Sequence, residues 1–473
     1  MGPLLCGVAG WSAAGLSVAR ASADAAPAEG PGALRAVTLG DALTYARAHQ
    51  PELRAAVAHV GALRAQAEVP RAGWYPALGV TAQVTLGTTN NSTASYVSVP
   101  YVNLARISST RAVSSSSATL APRPSTLLGA GLTQEVFDFG RIAVQAAADD
   151  ARAEAERLSA EALQLVVDYD VEEAYFAVYA AKAVLNASEE AFKRALVHRD
   201  LARAGAASGL RPPIELTRAE ALLGHFELGR VRALGGVRSS QALFAAAVGV
   251  PEPSLDIAGT PPSPAELPTL EDSLSRASAH NPEWLGAVAR IMAQEKRTRA
   301  IRAEARPNLF LSAALSGAAG GATPSSGDSP VGLGLLPVVP NWDGALVLSW
   351  PLFDATIAAR AGVSRAEETT RREEARAVKL KLSAAVEQAH INAETARDAL
   401  PVLRRSLDAA VANYAQADAR FRSGLGNAVE LADAEALRTD AEIQLALGSF
   451  ELARARAALG RAIAERFEPG PAP

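Results

Sequence analysis

Ser423-Gly424-Leu425-Gly426-Asn427-Ala428-Val429-Glu430-Leu431-Ala432-Asp433-Ala434-Glu435-Ala436 lies near the end of the chain. It has a gapless twin at Ser208-Gly209-Leu210-Arg211-Pro212-Pro213-Ile214-Glu215-Leu216-Thr217-Arg218-Ala219-Glu220-Ala221. Both read as a turn between two long helices. The Ser-Gly-Leu step ends an Ala-rich helix, because glycine adopts the left-handed conformation of a helix stop without steric cost. A short link follows, and a Glu-Leu pair then opens the next helix, where a carboxylate suits the positive end of the dipole. The two turns lie 215 residues apart. The chain is therefore an internal duplication, and that repeat governs every later reading.

Working outward, each repeat opens alike. Thr38-Leu39-Gly40-Asp41-Ala42-Leu43 returns 231 residues later as Thr269-Leu270-Glu271-Asp272-Ser273-Leu274, and His49-Gln50-Pro51-Glu52 returns as His280-Asn281-Pro282-Glu283. Thr38 and Thr269 have the character of helix N-caps. Two short helices are expected in each, ending near Ala72 and Arg306. The periodicity then changes to two: Leu78, Val80, Ala82, Val84 and Leu86 alternate with Gly79, Thr81, Gln83 and Thr85. This predicts amphipathic strands at 77–86 and 126–137, and in the second repeat at 308–316 and 343–353. Residues 87–125, rich in Ser and Thr, and 317–341, rich in Gly and Pro, read as long loops. Val136-Phe137-Asp138-Phe139-Gly140 answers Leu352-Phe353-Asp354-Ala355 at the strand ends.

Beyond each Phe-Asp step comes a stretch nearly free of Gly and Pro, to about Ala204 in the first repeat and Phe421 in the second. At ~1.5 Å per residue such helices reach on the order of 100 Å. Leu400, Leu403, Leu407, Ala410, Tyr414, Ala417 and Phe421 step by three and four as a coiled-coil seam, with Pro401 expected to kink the helix. Return helices follow to Val248 and Phe467. The organisation is thus a signal peptide (1–23), a linker (24–37), repeat one (38–250), a Pro-rich linker (251–268), repeat two (269–467) and a tail (468–473). Residues 3–19 are apolar and uncharged and precede small residues, as in a secretory signal. The single cysteine, Cys6, lies inside that segment, so no disulfide is expected in the processed chain.

The 473 residues are 49% hydrophobic but only 5% aromatic, with net charge −4. That profile favours long helices and argues against nucleic-acid partners. No apolar run is long enough for a membrane-spanning helix, so any crossing uses strands. Four strands do not close a membrane barrel, for which about eight is the minimum, and open edges in lipid leave backbone groups unpaired. Several copies must share one barrel. This reasoning leaves two or three copies open.

The strand-strand-long-helix duplication, the Thr-Leu openings, the Phe-Asp strand ends and the Gly-Leu turns together resemble the TolC family of outer-membrane efflux proteins, across about residues 36–467. The resemblance implies an α+β membrane protein: a homotrimer with a shared 12-stranded β-barrel in outer-membrane lipid and a long periplasmic α-helical barrel. It also implies a periplasmic adaptor and an inner-membrane pump or ABC transporter as partners. By the same resemblance, Glu430 and Asp433, with Glu215 as the first-repeat match of Glu430, line the pore constriction. Arg218, the twin of Asp433, is a gating candidate. Gly209, Leu210, Gly424 and Leu425 fall where adaptor hairpins would meet the tips. The family often carries a basic residue where this chain has Gly426, so its closed-state network is expected to differ.

No enzyme is expected. The six histidines show no metal-ligand spacing, lone Gly-x-Gly pieces open no helix, and no nucleophile, base and orienter set is present. No cofactor or metal follows. The expected function is an exit duct for drugs, metabolites or other small molecules. Type I protein secretion through the same duct, a periplasmic coiled-coil scaffold without a pore, and an adhesin acting through the Ser-rich loop are the competing readings.

Overall fold

The computed structural model describes residues 35–87, 94–99, 102–107, 122–251, 255–258, 266–320 and 341–465. The expected signal peptide with Cys6 and the C-terminal tail lie outside them. The chain opens with β1 (Arg35–Val37), then α1 (Leu39–His49) and α2 (Pro51–Ala72). Next come β2 (Ala77–Gly87), β3 (Ala94–Val99), β4 (Val102–Ile107) and β5 (Arg123–Phe137). The long helix α3 (Arg141–Ala207) turns into α4 (Pro213–Val248), and β6 (Leu255–Ile257) closes the first repeat. The second repeat gives α5 (Leu270–His280), α6 (Pro282–Ala303), β7 (Asn308–Gly320), β8 (Asn341–Ser349), α7 (Ala355–Arg422) and α8 (Ala428–Ala462). No helix among the described residues is long and apolar enough to cross a membrane.

The repeated openings are repeated caps. The Thr38 and Thr269 hydroxyls accept from the amides of Asp41 and Asp272, both at 3.2 Å. Gln50 and Asn281, which precede the prolines, donate to the carbonyls of Ala247 and Ala462 and so tie each short-helix pair to its return helix. The Phe-Asp steps also act as caps. Asp138, almost fully buried, accepts from the amides of Gly140 and Ile142, and Asp354 accepts from that of Thr356. Gly140 sits at φ +80°, where a side chain would be strained. These caps turn each strand directly into a long helix.

The strands form one four-stranded antiparallel sheet in the order β2-β5-β7-β8, with the repeats joined at β5–β7. Its register aligns the apolar alternation. Leu78 faces Leu132, which faces Ala313, and Val80 faces Ala130, Leu315 and then Trp342 across the sheet. Leu78, Val80, Val84, Leu86, Leu315, Trp342, Leu346 and Leu348 are all exposed. The opposite face is mostly small and polar, with Thr81 beside Gly129, Gly129 beside Ser316, and Thr133 beside Ser312, and with Phe310 beside Val347 at the end near the helices. β2 and β8 are left as open edges.

Several expectations are corrected. The stretch 87–125 is not only loop: β3 and β4 pair as an antiparallel hairpin within it, and β5 begins at Arg123. β7 runs on to Gly320, into the second expected loop. β8 ends at Ser349 and not at 353, because its one partner, β7, begins at Asn308, opposite Ser349. A short parallel pair, β1 with β6, joins the ends of the first repeat and was not anticipated. Helix α7 continues through Pro401 without a break.

The apolar core lies where the short helices pack on the long ones. Leu43, Val171, Phe244 and Val248 are at most 1% exposed there. The Tyr175 hydroxyl donates to the Ala258 carbonyl at 2.6 Å, anchoring the segment after β6. Beside this core, Arg47 makes two hydrogen bonds of 2.9 Å to Asp168. One turn further along α3, burial, reinforced by the Asp168 charge and opposed by Arg47, pushes Glu172 up to about 7. Its charged form is therefore disfavoured in the fold, so stability falls as pH rises from the ordinary carboxylate range through 7. Glu172→Gln should stabilise the protein at pH 8 by about 1–3 kcal/mol and leave it unchanged at pH 4, measured by thermal denaturation in detergent.

Candidate functional site

The helix tips are built as the sequence implies. Gly209 and Gly424 take φ of +69° and +76°, the left-handed stop that glycine alone adopts freely. Beyond Gly424, the amides of Leu425 and Gly426 both donate to the Arg420 carbonyl, at 3.0 and 2.9 Å. The Asn427 side chain accepts from the amides of Val429 and Glu430 at 3.0 and 2.8 Å, an N-cap for α8. The first tip uses Pro212 and Pro213 in its place, fixing the entry to α4 through proline's restricted φ. Leu210 and Leu425 stand at the two turns 85% and 78% exposed, apolar knobs open to a partner.

The carboxylates expected to line a constriction are placed differently from one another. Glu430 is half-buried and pairs with Arg420 of α7 at 3.0 Å. Asp433, one turn further, is exposed. Glu215 pairs with Arg211 at 3.0 Å. Arg218 is exposed and makes no ion pair among the described residues. It shares a cleft of about 370 Å³ between α4 and α8 with Glu215, His198, His225, Phe421 and Val429.

The residue that joins the two tips is Arg211, which the sequence reading quoted without assigning a role. Its guanidinium donates to Glu215 on its own turn and to the Phe421 carbonyl of α7 at 2.7 Å. Its central carbon also lies over the Phe421 ring, 3.8 Å from the centroid, an arrangement favoured by the ring quadrupole. Gly205 makes room for it: a Cβ there would come within 2.8 Å of the Arg211 side chain. Gly426 is tightly packed as well. A Cβ at that position would meet three atoms of Arg420 and Phe421 at 3.1 Å. The side chain that links the two turns therefore comes from the first of them. The i, i+4 spacing of Arg211 and Glu215 was a visible signal; the contact with Phe421 was not.

A second feature escaped sequence reasoning. About 20 Å above the first turn, at 1.5 Å per residue, Arg194 of α3 donates to Glu435 of α8 at 2.7 Å, and Glu435 is 0% exposed. Nearby, the Nε2 atom of His198 lies 3.0 Å from the Tyr414 hydroxyl.

Comparison with known proteins places this geometry in a family. A family model described as outer membrane efflux protein matches residues 42–250 and 273–465. A search of curated proteins finds no match by sequence. Among solved structures, the outer-membrane channel OprN is 21% identical, with 90% of each chain covered and a TM-score of 0.70. The CmeC outer membrane channel of Campylobacter jejuni is 15% identical, with 91% of this chain and 86% of that one covered and a TM-score of 0.72. The MtrE outer membrane channel of Neisseria gonorrhoeae, solved in an open state, is 18% identical, with coverages of 90% and 88% and a TM-score of 0.67. At these identities the likeness concerns the fold.

Arg211→Ala should release the end of α7 while leaving both helices intact. Loss of its hydrogen bonds and ring contact should raise tryptic cleavage after Arg420 and Arg422 by about 5- to 30-fold, read by mass spectrometry of a timed digest. Arg218→Ala should leave the cleavage rate unchanged.

Proposed function

Because the chain belongs to the outer membrane efflux protein family, we propose that three copies of it close one twelve-stranded barrel, continued below by one α-helical tube, for the expulsion of small molecules. As a member of that family it is an outer-membrane channel extending into the periplasm, and it acts with a periplasmic adaptor and an inner-membrane transporter. The family is one of channels and not of enzymes. The carrying observation is the sheet: an exposed apolar face, a small polar face, and unpaired edges at β2 and β8. Pairing β2 of one copy with β8 of the next satisfies both edges and turns the apolar face to lipid. Trp74, Tyr75, Phe137, Trp350 and Phe353 are exposed at the end of the sheet that leads into the helices, where aromatic rings suit the membrane–water boundary.

The helices carry matching faces. Leu380, Ile391 and Val402 on α7 are exposed at a constant step of eleven residues, and Leu228, Val231 and Leu234 on α4 are exposed at steps of three. Eleven residues make slightly more than three helical turns, so the first set forms a stripe nearly parallel to the axis. In the proposed assembly these stripes meet between copies. Glu430 and Asp433 then contribute six carboxylates around the tube axis, a ring that favours cations, while Arg211 and Arg420 hold the tips closed. Leu210 and Leu425, with Gly209 and Gly424, form the surface offered to the adaptor.

Small-molecule cargo is tested by dye and antibiotic retention in cells lacking the chain, with secreted protein scored in the same cultures. Retained small molecules are expected; normal retention with a missing secreted polypeptide would instead indicate type I secretion. The ring is tested separately in planar bilayers. Glu430→Ala combined with Asp433→Ala should lower cation preference several-fold, and unchanged selectivity would remove these residues from the constriction.

A further inference from the structure

Where the helices meet the sheet, α2 and α3 enclose an open cleft of about 690 Å³. Three kinds of surface line it. Trp74 and Tyr75, both exposed, stand on the turn that leads into β2. That turn is held: Gln134 of β5 donates to the Trp74 carbonyl, and a Cβ at Gly73 would come within 3.3 Å of the Ile142 side chain. Ile142 and alanines of both helices supply small apolar walls. The third surface is an ion triad. Arg71 donates to Glu68 on its own helix and to Asp150 of α3, both at 2.6 Å.

The triad keeps spare capacity on every member. A guanidinium carries five N–H groups, and that of Arg71 uses three, on Glu68, Asp150 and the Ala67 carbonyl. Glu68 Oε2 and Asp150 Oδ1 accept no hydrogen bond among the described residues. All three side chains are at least 42% exposed, within reach of a ligand. A simple anion here would meet two carboxylates, and a simple cation would meet the guanidinium. A zwitterion with a phosphate and a nearby ammonium suits both signs. Its phosphate accepts from the free N–H groups of Arg71, and its ammonium donates to the free carboxylate oxygens. The depth also fits. The amides of Trp74 and Tyr75 donate to the Arg71 and Ala72 carbonyls, so the chain stays wound there. Arg71 therefore lies ~6 Å below Tyr75 at 1.5 Å per residue. The headgroup layer on one side of a bilayer is roughly 5–8 Å deep.

We propose that this cleft binds the phosphoethanolamine headgroup of a phospholipid in the periplasmic leaflet, one per chain. The phosphate sits on Arg71, the ammonium between Glu68 and Asp150, and the glycerol end against Trp74 and Tyr75. This rests on the reading of the sheet as part of an outer-membrane barrel. In that reading the exposed Leu78, Val80 and Val84 of β2 give the acyl chains an apolar surface just beyond the cleft. The bound lipid steadies the corner at which α2 becomes β2, the edge strand that meets the next copy.

The test is native mass spectrometry of the detergent-purified assembly, mixed with equal amounts of dioleoyl-phosphatidylethanolamine and dioleoyl-phosphatidylglycerol. The ethanolamine lipid should be retained about five-fold over the glycerol lipid, up to one per chain. Glu68→Gln with Asp150→Asn leaves Arg71 as the only charge of the triad, so the preference should invert towards the anionic glycerol lipid. Loss of a merely structural contact would weaken both lipids alike. Arg71→Gln should lower retention of the ethanolamine lipid about ten-fold. If that variant fails to assemble, the two ratios decide. Equal retention of both lipids by the wild type, or an unchanged ratio in the Glu68→Gln, Asp150→Asn protein, overturns the proposal. A detergent-held assembly without lipid preference overturns it and leaves the barrel reading standing. A protein that is soluble without detergent and takes up neither lipid overturns both.

Discussion

The unpaired backbone of two strand edges is the constraint on which the rest of this structure depends. A peptide group facing hydrocarbon without a partner costs several kcal/mol, and β2 and β8 each present a row of such groups. Among the described residues no further strand pairs with them. In the proposed assembly closure comes from further copies, and the duplication makes that geometry natural. Each copy brings two strand pairs joined at β5–β7 and two long helix hairpins that leave the same end of the sheet. An assembly that closes the strands brings the helices together as well.

Repetition alone would make the two hairpins interchangeable, and the tips show that they are not. In the second turn Asn427 caps α8 and Gly426 packs closely on Arg420 and Phe421. In the first, a Pro-Pro link starts α4, and Arg211 reaches across to Phe421 with Gly205 yielding it space. One repeat supplies the cation and the other the ring and carbonyl that receive it. The same division recurs higher up, where α3 supplies Arg194 and His198 while α7 and α8 supply Tyr414 and Glu435.

What the sequence made legible was what periodicity and local chemistry encode. The alternation from Leu78 to Leu86 marked a strand and its exposed face, the Phe-Asp steps marked the strand-to-helix corners, and the Thr caps and Gly-Leu stops marked helix ends to within a few residues. Weak local signals were missed: three-residue β1 and β6 are too short to show a period, and the hairpin of β3 and β4 sits in a Ser-rich stretch that reads as loop. Contacts set by tertiary packing were missed for a different reason. Arg211 meets Phe421 across 210 residues and Arg194 meets Glu435 across 241, and neither spacing leaves a pattern. Arg218 drew notice because it broke the symmetry with Asp433, yet it lies exposed while Arg211, seven residues earlier, makes the contact between repeats.

The central claim is that separate copies of this chain complete one barrel by joining β2 to β8. The most direct test is the mass of the detergent-solubilised protein, with detergent contribution subtracted, by light scattering coupled to size exclusion. The account predicts three times the chain mass of 48.9 kDa, less any processed leader. A stable species of a single chain mass, folded and with its strand edges unpaired, would contradict it.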